Sequence, residues 1–368
     1  MNKTVVNNGR QRELDWAKAF AILFMVTIHV YEQLSVVDAE IIPSDPYRII
    51  MEFLGGPLAA PLFMFCMGIG IVYSKNSIPG KMAKRGVKLL RNGYLLSFFK
   101  GTLPTAIGLA LGCTAPWTLT DSFFLVSILQ FAGMAFFTIA LMKKFKFSLP
   151  AMFGTSLILS VIGGMLAKLD FTDSWVQYLF GLFFNTNEHT TFPLFRWLYY
   201  PVLGMIFAYF LQRTEDKNKF YKRLFTVALV CTILVNVAYI AAGIDIRTMF
   251  MLAGRVYYAQ SLLHYLYITC VLLTAMPIYY FLSVKIKGRR IGAAVEYLGK
   301  NLDVIYIWQW MINSYTQSFM ILLGVPNFTI PYIIPVGILI LLGSIGIIEF
   351  GRWIARKFQK KETVKLAA

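Results

Sequence analysis

Cysteine, histidine and acidic residues are all scarce in this chain: 368 residues hold four cysteines, three histidines and 18 Asp or Glu, against 35 Lys or Arg. Cys66, Cys113, Cys231 and Cys270 form no CxxC pair and have no histidine at metal-ligand spacing. That excludes a zinc module and a disulfide framework, leaves the thiols as small buried hydrophobes, and gives no reason to expect a metal. There is no phosphate-cradling glycine loop, tandem repeat or low-complexity segment. Charge of either sign is thin, at 14% of residues, whereas 58% are hydrophobic and 16% aromatic. Soluble domains carry roughly 25% charged residues, so this composition points away from them.

What is present is a series of apolar runs long enough to cross a bilayer core of ~30 Å. Ten spans can be drawn, at 16–35, 49–74, 93–112, 121–142, 149–167, 195–212, 222–243, 256–283, 297–323 and 331–350. The residues before the first, Met1 to Asp15, are polar, and the run that follows is too long for the core of a cleavable signal peptide. With alternate connections on one side, 27 basic residues fall there, and the other side holds only Arg48, Lys168, Arg196, Arg247 and Arg255 with eight acids. The positive-inside rule then puts both termini in the cytoplasm. The expectation is an all-α polytopic membrane protein, one domain over 1–368 with about ten transmembrane helices, in the plasma (inner) membrane of a bacterium. The net charge of +17 follows from a basic inner face against anionic lipid, with membrane lipids and not nucleic acid as the partner. A homo-oligomer is compatible with the sequence.

Polar residues inside the spans carry the functional signal, because an ionisable group at membrane depth is costly. His29 lies in the outer third of the first span, with Glu32 one turn later on nearly the same face. Gln130, Asn236, His264 and Asn313 fall in the outer half of their spans, Gln309 lies near mid-depth, and His189 is in an outer connection. For Gln130, Asn236 and His264 an interhelical hydrogen bond is the commoner role. A neutral imidazole suits proton transfer, and Glu32 could orient it. On the inner side Arg12, Lys18, Lys84, Arg85, Lys88 and Arg91 gather near one span entrance. Phosphates are natural ligands for such cations, although an ordinary positive loop or an interfacial helix reads the same way.

The segment Arg12-Glu-Leu-Asp15-Trp-Ala-Lys18 through Met25 to His29 resembles the opening R-x-x-x-D-x-x-R-G-x-A-x-x-x-M-x-x-x-H of the transmembrane acyltransferases, the group holding the acyltransferase-3 and heparan-alpha-glucosaminide N-acetyltransferase-like proteins. Pro61-Leu-Phe63-Met-Phe65-Cys-Met-Gly68, Leu129-Gln130-Phe-Ala-Gly133, Phe192-Pro193 through Trp197 to Gly204, and Gly299-Lys300-Asn301 through Tyr306 resemble later motifs of that group in the same order. Lys18 stands where the acyltransferase-3 signature has arginine, and Gln309 stands where a histidine is frequent.

The resemblance implies a membrane-bound enzyme that takes an acyl group, acetyl in the simplest case, from cytoplasmic acyl-CoA and gives it to a hydroxyl or amine on a glycan-type acceptor outside. On that reading the basic inner cluster holds CoA and His29 is the general base with Glu32 behind it. An acyl-histidine intermediate is the open alternative. The acceptor is expected among Gln130, His189, Trp197, His264, Gln309 and Asn313. The rival reading is a proton-coupled transporter or flippase for an anionic or lipid-linked solute, which also needs intramembrane His and Glu.

Overall fold

The protein is described by a computed structural model covering residues 4–36, 45–114, 118–169, 171–186, 190–252 and 257–367, with side chains as far as Gln359. It is helical throughout, and the described residues form no sheet. α1 (Arg12–Leu34) is followed by α2 (Pro46–Gly55) and α3 (Ala60–Tyr73), which make one broken span. α4 (Pro79–Ser97), a π-helical turn (Phe98–Thr102) and α5 (Leu103–Ala110) make one long segment. Next come α6 (Leu119–Phe124), α7 (Ile128–Lys144), α8 (Leu149–Leu166), α9 (Ser174–Gly181), and α10 (Leu194–Trp197) running into α11 (Tyr199–Gln212). The chain ends with α12 (Lys217–Ala241), α13 (Leu262–Lys285), α14 (Arg290–Lys300), α15 (Leu302–Leu323) and α16 (Ile333–Ala367).

Among the described residues seven helical segments are long and apolar enough to cross a membrane: α1, α2 with α3, α8, α10 with α11, α12, α13, and the segment Ile330–Gln359. The α4–α5 segment, α7 and α15 occupy the other three expected places. The α4–α5 segment carries the basic turns of α4 and Lys100, α15 carries Gln309 and Asn313, and α7 is only 17 residues long. Several ends differ from the expected spans. The third segment begins at Pro79 rather than 93, because the basic stretch forms the helix's own inner turns. The eighth begins at Leu262, where Ser261 and His264 form a capping box, and the ninth is divided near Asn301 from the short amphipathic α14.

α1 is the axis of the bundle and packs against α2, α3, α13, α14, α15 and α16. Its Ala17, Ala19, Ala21 and Ile22 are fully buried. By contrast α12 lies at the periphery and exposes Val227, Val230, Ile233, Leu234 and Val237. Small residues set the closest helix contacts, as membrane packing requires when lipid is as apolar as the helix surface. A Cβ on Gly68 would sit 1.9 Å from the Pro201 carbonyl oxygen, and one on Gly204 2.0 Å from that of Phe65, so α3 and α11 touch backbone to backbone through both glycines. A Cβ on Gly299 would likewise collide with the Asp15 carbonyl oxygen of α1.

A buried charge fastens the outer end. Glu52 accepts from Arg48 Nε at 2.8 Å, the Tyr31 hydroxyl at 3.0 Å and the Leu252 backbone N–H at 2.9 Å, which ties α1, α2 and the stretch before α13 together. Such a carboxylate is tolerated because its acceptor capacity is filled. At the inner end Arg12 bonds Glu296 through Nε at 2.8 Å and also through Nη2, and Arg10 reaches Asp15 and Glu296. The hydrogen bond to Asp15 raises the Arg10 guanidinium above its ordinary pKa.

The glycine contacts give a direct test. Gly204→Val places a branched side chain against a backbone carbonyl that has no rotamer to give way, so it should cost about 3 kcal/mol, the upper end of overpacking penalties. Gly70→Ala, in α3 with open space at its Cβ position, should be neutral or stabilising. Thermal unfolding in detergent distinguishes the two; equal melting temperatures would show that α3 and α11 do not meet at these glycines.

Candidate active site

Two cavities share the centre of the bundle. The outer one, about 670 Å³, is lined by His29, Glu32, Gln33, Lys100, Tyr258 and Trp310 among others. The inner one, about 690 Å³, is lined by Lys18, Lys81, Arg85, Lys300, Asp303 and neighbouring apolar residues. Met25, Ile128 and Tyr306 belong to both linings and form the boundary, or neck, where the two abut. Lys18 and His29 are eleven positions apart on α1, about 16 Å along the axis at 1.5 Å per residue, so one helix joins the cations of one cavity to the imidazole of the other.

His29 is held by α15. Its Nδ1 lies 3.2 Å from Gln309 Oε1, and the Gln309 Nε2 donates to the Tyr306 carbonyl at 3.2 Å. The second bond fixes which end of the amide faces the imidazole. Because Oε1 only accepts, the network assigns the proton to Nδ1 and leaves the lone pair on Nε2. Asn313 Nδ2 donates to the His29 carbonyl at 3.1 Å, and Gln317 Nε2 to the Gln33 carbonyl at 3.0 Å. Residues 309, 313 and 317 are one turn apart on one face, so three amides lace α15 to the outer third of α1. The Trp310 ring packs on the imidazole with centroids 4.0 Å apart, and Tyr306 meets it edge-on at 6.4 Å.

Lys100 was not apparent as a site residue from the loop charges, because it belongs to no loop. It is buried within the third segment, with its Nζ 3.5 Å from the centroid of the Trp310 ring. The sequence signal was a lysine in the middle of an apolar span. The local cause of its position is Pro104. Proline has no N–H, so the Lys100 carbonyl loses its usual helical donor four residues on, and the Ser314 hydroxyl of α15 donates to it instead at 2.6 Å. The Leu103 N–H meanwhile bonds the Phe98 carbonyl five residues back, which closes the π turn.

Other expected site residues fall elsewhere. Glu32 lines the outer cavity, but its carboxylate accepts from the Tyr258 hydroxyl at 3.1 Å, and His29 Nδ1 bonds Gln309. The orienting role expected of Glu32 is therefore reassigned. Gln309 and Asn313, expected to meet the acceptor, are fully buried and hold His29. Gln130 is also fully buried: its Oε1 accepts from the Ser127 hydroxyl at 2.5 Å, capping α7, and its Nε2 donates to Ser97 Oγ at 3.1 Å, bridging to α4. His264 caps α13 through Ser261 at 2.8 Å. Trp197 is fully buried, donates to the Tyr258 carbonyl and packs on Phe192, which itself lines the outer cavity. Asn236 donates to the Thr232 carbonyl within α12. His189 lies outside the described residues.

The helical period divides the inner cations. On α4, Lys81, Met82, Arg85 and Leu89 face the inner cavity, whereas Lys84, Lys88 and Arg91 recur at four- and three-residue steps on an exposed face outside its lining. Arg85 packs over the Phe136 ring at 4.9 Å. Arg12 is committed to Glu296, so Lys18 and Arg85 remain as the cavity cations from the expected set, joined by Lys81 and Lys300. Among the described residues no group of His, Cys, Asp and Glu could hold a metal ion.

The sequence profile of the acyltransferase domain, the family termed acyltransferase-3, matches residues 11–349. No curated protein matches the chain closely enough to serve as a named relative. The profile spans α1 to α15 and the first half of α16, and therefore both cavities, the neck and His29. On that coverage, the chain belongs to the acyltransferase-3 family and is a membrane acyltransferase.

Proposed function

We propose that the protein takes an acyl group, acetyl in the simplest case, from acyl-CoA in the inner cavity and transfers it at His29 to a hydroxyl or amine of a glycan-type acceptor in the outer cavity. The observation that carries this reading is the pair of cavities meeting at Met25, Ile128 and Tyr306, with cations on one side of the neck and an oriented imidazole on the other. The phosphates of CoA suit Lys18, Lys81 and Arg85, and an extended pantetheine arm suits the distance from Lys18 to the neck. Loop charge makes the inner side the cytoplasm, where acyl-CoA is available. The acceptor enters from the opposite side, past Phe192, Tyr257 and Tyr258, whose rings suit the apolar faces of a sugar. Family membership removes the main ground for a transporter or flippase.

In the transfer itself His29 Nε2 takes the proton of the attacking hydroxyl or amine, and Gln309 keeps the other nitrogen protonated so that Nε2 is free to do so. An amide holds the tautomer without adding the negative charge that a carboxylate would bring to the cavity.

His29→Ala should leave folding and CoA binding intact and lower acyl transfer from acetyl-CoA by ~10²–10⁴-fold, the usual contribution of a general base. Transfer at near wild-type rate in that variant, measured in proteoliposomes, would remove His29 from the mechanism.

For the donor site, Lys18→Met and Arg85→Gln should each weaken CoA binding by ~1–3 kcal/mol, as expected for loss of a charge-assisted contact. Lys84→Gln and Lys88→Gln, on the exposed face of α4, should bind as the wild type does. Calorimetric titration in detergent checks both pairs, and the reverse pattern would move the CoA site out of the inner cavity.

A further inference from the structure

The reaction outlined above leaves one buried charge in the outer cavity without a task. Lys100 shares that cavity with His29, and the Trp310 ring touches both: 3.5 Å from the ammonium to the ring centroid, 4.0 Å between the ring centroids of Trp310 and His29. Among the described residues Lys100 has no ion pair within 4.0 Å; Glu32 of the same lining accepts from Tyr258 and acts on the ammonium only from a longer distance. Packing alone does not account for a lysine here. A cation–π contact returns less than burying an ion costs. The backbone is also specialised at this residue, which lies in a π turn just before Pro104 and whose carbonyl Ser314 ties to the helix carrying Gln309. Such turns occur frequently at functional sites.

We propose that Lys100 is a second catalytic residue, whose ammonium faces the thioester carbonyl presented at His29 and stabilises the oxyanion that forms there. This rests on the acyl-transfer reading above. As the acceptor oxygen bonds to the carbonyl carbon, the π electrons of the carbonyl move onto its oxygen beside Lys100 and the acceptor proton passes to His29 Nε2. The carbonyl then re-forms, the carbon–sulfur bond breaks, and the CoA thiolate leaves and takes the proton back from His29. Lys100 gives up no proton in either step. A fixed cation in a largely apolar cavity acts on the charge that develops in the transition state more than on the neutral thioester, so its effect belongs to kcat.

The amide ladder on α15 supports the assignment. Gln309 positions the base and Ser314, five residues on, positions the cation's backbone, so one helix sets both groups against the carbonyl.

The test compares wild-type protein, His29→Ala, Lys100→Met and Lys100→Arg in proteoliposomes given acetyl-CoA, with water and methyl glucoside as acceptors and thiol release as readout. Lys100→Met keeps a long side chain against Trp310 without the charge. It should lower kcat by ~10²–10³-fold, the scale for loss of one oxyanion donor, with KM for acetyl-CoA within threefold and a melting temperature equal to or above that of the wild type. Lys100→Arg, which keeps the charge, should retain at least tenfold more activity than Lys100→Met. Near wild-type turnover in Lys100→Met, or equal losses in both lysine variants, or a lowered melting temperature in Lys100→Met, would overturn the proposal. If the wild type itself releases no thiol, the acyl-transfer reading fails. If it releases thiol in a His29-dependent way while Lys100→Met does too, only the role of Lys100 fails.

Discussion

The hydrogen bond between His29 Nδ1 and Gln309 Oε1 decides which imidazole nitrogen faces the outer cavity, and the surrounding structure is arranged to keep it. Gln309 is fixed through its own amide nitrogen, and Asn313 and Gln317 repeat the attachment along the same face of α15. In an apolar bundle these amides would otherwise be costly, so each needs its partner, and the partners lie on α1. A rigid pair of helices therefore carries the imidazole, as preorganised catalysis at His29 would require.

That pair is set into a scaffold with close contacts at both ends. Gly299 lets the end of α14 rest on the α1 backbone at Asp15, and the Glu52 cluster fixes the outer end of α1 through Tyr31. Between these points α1 passes from the inner cavity to the outer one. The neck at Met25, Ile128 and Tyr306 is drawn from three helices, α1, α7 and α15, and two of these also hold or carry His29. On the proposed function, the cations on one side and the imidazole on the other lie along a single route through the protein.

Much of this was legible in the sequence. Apolar run length gave an all-α membrane protein, and the motif glycines Gly68, Gly204 and Gly299 prove to be backbone contacts. His29 stood out because it is ionisable at depth. Less legible was which neighbours it would meet. Glu32 was the natural orienting group by spacing on α1, but the choice between it and Gln309 depended on how α15 packs, which no local pattern states. The 309, 313, 317 spacing did carry that information as a polar stripe on an otherwise apolar helix. In the sequence the inner cations form one cluster, but the helical period separates Arg85 from Lys84, Lys88 and Arg91. Lys100 escaped a reading based on loops, and the reason for its placement, a missing N–H at Pro104 met by Ser314 on another helix, is tertiary.

The central claim is that donor and acceptor approach His29 from opposite sides through the neck. A structure with a non-transferable acyl-CoA analogue tests it most directly. The account predicts phosphates beside Lys18 and Arg85, the pantetheine arm passing Met25, Ile128 and Tyr306, and the acyl carbonyl at the outer cavity, where an acceptor atom bonded to His29 Nε2 would stand about 3–3.5 Å from it. An analogue bound wholly in the outer cavity, or one that stops short of a closed neck with its carbonyl remote from His29, would contradict it.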